Sequence, residues 1–227
     1  ATNGQTNVMG LADWRQVFAE VFHSLMLRVC VFFGCAAVSL NSFRSAVAGR
    51  YLHYSYLSPV RRELVVAAKY LSGLIFTGGA FILGSLAMWI APHLDGPLGE
   101  TLPSLASLQS LRLGLSYAGI ALLACMGYGA VFLVLGLRFK NPIFPTLLLM
   151  VWESINLFLP AGIQKLSVIH YLQSLGPIPV KTPLISVVAA PTPVPQALLG
   201  LLVVTAALLG LSMRLGRDME LDYGGDA

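Results

Sequence analysis

The sequence predicts an all-α fold, a polytopic membrane bundle of five spans, and three observations carry that prediction. The 227 residues are 56% hydrophobic and only 11% charged, against roughly 25% charged in ordinary soluble domains. Five stretches approach or exceed the ~20 apolar residues needed to cross about 30 Å of hydrocarbon. The basic residues gather in alternate loops, the signature of membrane topology. A mean hydropathy of +0.77 excludes intrinsic disorder. It also makes the net charge of +4 a topology signal and not a nucleic-acid footprint. The whole of 1–227 reads as a single transmembrane domain.

The spans follow in order. The first covers about 24–43, with Arg28 near its start, where a long side chain can snorkel to the interface. The second covers 64–90 and ends on Trp89, a residue type that anchors at interfaces. The third covers 111–137, with Arg112 at its edge. The fourth, 142–159, is short, and the fifth covers 196–215. Apolar positions in these runs are not striped at helical period, as expected for helices apolar on all sides.

Loop charge sets the orientation. The segment 44–69 holds Arg44, Arg50, Arg61, Arg62 and Lys69 against the single acid Glu63. The loop 91–110 holds Asp95 and Glu100 and no basic residue. Arg138 and Lys140 follow the third span; Arg214 and Arg217 follow the fifth. These basic segments, and with them the C-terminus, are expected on the cytoplasmic side. Five spans then place Ala1 outside, so a sixth, upstream span is expected in the full protein.

Two connections carry more than linkage. In 44–62, Tyr51, Leu52, Ser55 and Tyr56 fall at helical spacing, which fits an amphipathic helix at the membrane surface. Pro59 stops it, and Arg61 and Arg62 open the next span. The outer loop 160–195 has a helical piece over 162–175, expected to lie on or dip into the outer interface. Dense proline follows at Pro177, Pro179, Pro183, Pro191, Pro193 and Pro195, which stiffens the backbone.

Chemistry-bearing residues are sparse. Cys30, Cys35 and Cys125 sit in apolar runs and read as small buried hydrophobes. The four histidines share no ligand spacing, so no metal site and no cofactor are expected in this chain. Glu153 is the sharpest residue. It lies inside the fourth span, with Asn156 close behind, and a charge at bilayer depth costs about 2.5–3.5 kcal/mol on insertion scales. A helix–helix hydrogen bond and a substrate contact both fit it. No catalytic constellation accompanies it, so an intramembrane enzyme is disfavoured. Glycines of the second and third spans, Gly73, Gly78, Gly79, Gly84, Gly114, Gly119, Gly127 and Gly129, permit close helix packing.

The run over 43–73, FR-x5-RYLHYSYLSPVRRELVVAAKYLSG, resembles the ABC-2 type transporter permeases. So does 141–175, NPIFP followed by WESINLFLP and LSVIHYLQSL. The resemblance covers most of 25–179 in its order of spans and loops. It implies a permease, mostly an exporter in this family, that works as a dimer with a second permease copy in the bacterial cytoplasmic membrane. Two cytoplasmic ATP-binding cassette subunits would drive it, and the chain itself has no G-x-x-x-x-G-K-[ST] phosphate loop. The coupling segment would then meet the ATPase through Arg44, Arg50, Tyr51, Leu52, Tyr56, Pro59, Arg61 and Arg62. Aromatic and arginine residues are the usual anchors of such contacts. One departure stands out: 45–49 reads Ser-Ala-Val-Ala-Gly, where family members often carry acids. The alternative expectation is a non-transporting anchoring subunit that keeps the permease fold.

Overall fold

The computed structural model describes residues 11–48, 62–91, 107–139, 141–155, 161–164, 167–178 and 193–218, and among these every regular element is helical. The first rod joins α1 (Leu11–Val21), a π-helical stretch (Phe22–Val31) and α2 (Phe32–Ala48) without a break. It begins thirteen residues before the expected start of the first span. The reason is amphipathicity: Arg15, Gln16 and Glu20 lower the local hydropathy, yet Phe18, Ala19 and Phe22 bury one face. The apolar window of this rod, Trp14–Asn41, therefore puts Arg28 at mid-length and not near an edge where it could snorkel.

α3 (Arg62–Ile90), α4 (Leu108–Arg138) and α8 (Val194–Asp218) lie within three residues of the expected second, third and fifth spans. With the first rod they make four helices long and apolar enough to cross a membrane, the build of an integral membrane protein. Ser107 starts α4 as an extended N-cap whose hydroxyl accepts from the Ser110 N–H. Pro195 sits in the first turn of α8, where its missing N–H costs nothing. α5 (Ile143–Ile155) has 13 residues, about 20 Å at 1.5 Å per residue, and so falls short of a full crossing. The expected helical piece after it divides into α6 (Ala161–Gln164) and α7 (Val168–Ser174).

α4 is the centre of the bundle. Of its most apolar window 56% is buried, against 22% in α3 and 17% in α8. Tyr117, Ile120, Ala121, Ala124, Cys125, Tyr128 and Phe132 form its inward face. That spacing is helical, so burial is striped even though apolarity is not. Small and aromatic side chains mark the inside, while Leu111 and Leu115 face out.

Contacts along α4 fix the directions of its neighbours. Trp89 packs over Gly114 and Tyr70 over Gly129, so α3 and α4 are antiparallel. Leu201 meets Gly127 and Leu209 packs near Leu133, so α8 runs parallel to α4. Gly216 faces Val66, and Arg217 reaches Glu63 at 3.8 Å. The start of α3 and the ends of α4 and α8 therefore share one end, where Arg62, Arg138, Arg214 and Arg217 also fall. Trp89 turns inward at the other end, 5.2 Å from the Phe18 ring, and is a core residue instead of an interfacial anchor.

Candidate functional site

Three close approaches carry α7 and the turn after it into the bundle. A Cβ on Gly127 would stand 2.8 Å from Val168 Cγ1, and one on Gly200 would stand 2.5 Å from the Tyr171 ring. Gly176 lies equally close to the His23 imidazole. Val168, Ile169 and Leu172 are consequently core residues. An apolar helix this short leaves its first N–H groups without partners unless something caps them.

The cap comes from Glu153. It sits in the last turn of α5 with its side chain turned inward, 9% exposed. Its carboxylate accepts a hydrogen bond from Ser167 Oγ, fourteen residues downstream, and further ones from the backbone N–H groups of Val168 and Ile169. Ser167 occupies the N-cap position of α7 in extended backbone, but its hydroxyl makes no cap bond of its own. The carboxylate takes that role from another helix. Charge-assisted bonds of this kind are about twice as strong as neutral ones.

The carboxylate thus joins α5 to the first turn of α7 inside an apolar bundle. Its acceptor capacity is directed at the chain's own donors, so the contact positions backbone.

Of the residues singled out from the sequence, Glu153 lies buried in the last turn of a short helix and not in the middle of a span. Arg44 lies in the last turns of α2, and Arg62 is the first residue of α3. Arg50, Tyr51, Leu52, Tyr56, Pro59, Arg61 and Asn156 lie outside the described residues. Ser167 carried no sequence signal. Cys35 and Cys125 meet in the core beside Thr77, while Cys30 is exposed. Among the described residues no three of His, Cys, Asp and Glu converge as a metal site would require.

No protein-family model, curated protein or solved structure matches the chain.

Proposed function

We propose that the chain is the permease subunit of an ATP-driven ABC-2 type transporter of the bacterial cytoplasmic membrane, an exporter with its C-terminus in the cytoplasm. The observation that carries the reading is the order of elements. A long apolar rod is followed by the arginine- and tyrosine-rich segment 44–62, then by two long antiparallel helices. The short apolar α5, the broken α6–α7 dip tied in by Glu153, and a final long helix complete the series. Counting α5 as the fourth of five spans, this order suits a coupling helix on one face and a re-entrant loop on the other.

In this reading ATP is hydrolysed by separate cytoplasmic cassette subunits, and the chain pairs with a second permease copy. It holds no cofactor and contacts lipid, not nucleic acid. The segment 44–62 transmits ATPase closure through Tyr51, Leu52 and Tyr56 as apolar anchors. Arg44, Arg50, Arg61 and Arg62 form the charged rim, and Pro59 ends the lever. Native purification tests it. ATPase subunits are expected to co-purify with the wild-type chain and to be lost from the Tyr51→Asp/Leu52→Asp variant. An unchanged complex, or a particle with no ATPase, overturns the reading. The acid-free run 45–49 favours a second reading, an anchoring subunit without transport, which predicts a stable particle that moves no cargo.

A further inference from the structure

Two thiols and a hydroxyl from α2, α3 and α4 meet at one level of the bundle. Gly34 of α2 packs on the Phe81 ring of α3, and a Cβ on Gly73 would stand 3.9 Å from Val38 Cγ1. These contacts bracket Cys35 on one helix and Thr77 on the other. On the side of α3 that meets α4, a Cβ on Gly78 would stand 3.0 Å from Leu122 Cδ1, and the Tyr70 hydroxyl reaches the Met126 carbonyl at 2.9 Å. Cys125 of α4 lies between those two points. Packing thus brings the Cys35 and Cys125 thiols into hydrogen-bonding reach of each other and of Thr77. The Thr77 proton is committed to the Gly73 carbonyl at 2.8 Å, which leaves its oxygen to accept from a thiol. Both cysteines are fully buried, whereas Cys30 is exposed.

We propose that Cys35 and Cys125 are a buried dithiol that peroxide oxidises to a disulfide, clamping α2 to the central helix α4. A disulfide needs Cα atoms about 4.4–6.8 Å apart. Helix axes about 8–10 Å apart, less a Cα radius of about 2.3 Å on each side, leave facing Cα atoms about 3–5 Å apart. Small neighbours keep that approach open: Gly34 and Ala36 beside Cys35, Ala121 and Ala124 beside Cys125. Hydrogen peroxide is small and uncharged, so it enters an apolar interior that excludes charged thiol buffers. One sulfur takes an oxygen atom from the peroxide, forming a sulfenic acid and releasing water. The second thiol then attacks that sulfur; the S–O bond breaks, the S–S bond forms, and a second water carries off the oxygen with the thiol proton. In sum, two thiols and one peroxide give one disulfide and two waters. Burial slows the first step, because the thiolate is the nucleophile, but it leaves the sulfenic acid its neighbour in the core as partner. The disulfide is neutral, as the dithiol was, so no charge enters the bundle. The clamp does not depend on the permease reading.

Peroxide treatment of the full Cys30→Ala chain in phosphatidylcholine nanodiscs, followed by denaturation in a maleimide, digestion and mass spectrometry, tests the pair. A linked peptide joining Cys35 to Cys125 is expected in most molecules, lighter than the sum of its parts by the two hydrogens lost and split by dithiothreitol. The linked chain is expected to melt about 5–15 °C higher, since the bond closes a long loop, and dithiothreitol should return it to the starting value. Cys35→Ala and Cys125→Ala, each combined with Cys30→Ala, should show neither link nor shift. Should Cys30→Ala not fold, the wild-type chain reads out the same linked peptide. Iodine, which takes the two hydrogens of a dithiol as hydrogen iodide, is the second oxidant. Two free thiols after both oxidants, links between chains in place of the internal one, or sulfonic acid at either cysteine without a link overturns the proposal. A link with iodine alone overturns the part played by peroxide, and a link without a rise in melting temperature overturns the clamping of the two helices.

Discussion

A carboxylate among apolar helices is tolerable only when donors surround it, and Glu153 meets that condition through Ser167, Val168 and Ile169. The sequence marked the residue as costly but left open what would satisfy it, because its donors lie on a segment whose path is a tertiary matter. Glycines behave alike. Gly127 and Gly119 look equivalent in the sequence, both in the third apolar run. A Cβ at 127 would press on Val168 and Leu201, whereas one at 119 meets nothing within 4 Å. Gly127→Ala is therefore expected to destabilise by about 1–3 kcal/mol, the usual penalty of overpacking. Gly119→Ala is expected to be neutral or stabilising by up to about 1 kcal/mol through helix propensity. Thermal unfolding in detergent compares them directly, and equal melting temperatures would contradict the packing described.

Polar contacts between elements are graded by their surroundings. The Tyr70 hydroxyl of α3 donates to the Met126 carbonyl of α4 at 2.9 Å, a bond between helices inside the bundle. Tyr70→Phe is expected to cost about 0.5–1.5 kcal/mol, in line with interhelical bonds in membranes, read from equilibrium unfolding in mixed micelles. The ion pair from Arg217 to Glu63 joins α8 to α3 at 3.8 Å, but its side chains are 74% and 44% exposed. Exposed pairs are worth about 0–1 kcal/mol and are screened by salt. Arg217→Gln should lower the melting temperature only slightly, and less still at high salt. Element boundaries were legible where composition changes sharply, as at the ends of α3, α4 and α8. They were not legible for the first rod, whose early turns are amphipathic and whose burial depends on Trp89 and Tyr117 arriving from α3 and α4.

At the scale of the whole molecule, α4 is surrounded while α3, α5 and α8 present long apolar faces. Ile75, Phe76, Leu83, Leu199 and Val203 are all more than 60% exposed. Such a belt in water would drive aggregation; against lipid it is the ordinary outer surface. The helix directions put the ends of α4 and α8 on one side and the start of α4 on the other. Single cysteines at Phe139 and Arg217, introduced after replacing Cys30, Cys35 and Cys125, should react with an impermeant maleimide from the same side of sealed vesicles. A cysteine at Ser107 should react from the opposite side. Labelling of positions 139 and 217 from opposite sides would refute the bundle's topology.

Composition alone determined that this protein is helical and lives in a membrane, because a chain with so few charges cannot clothe a soluble core. The spacing of apolar runs determined three of the four long helices described almost to the residue. Only the tertiary structure decided which faces turn inward, since every face of a lipid-bathed helix is apolar and hydropathy cannot tell protein from lipid. It alone decided what satisfies the buried Glu153 as well. Glu153 and Ser167 are fourteen positions apart in the chain. Only the inward fold of the short segment after α5 brings the hydroxyl onto the carboxylate.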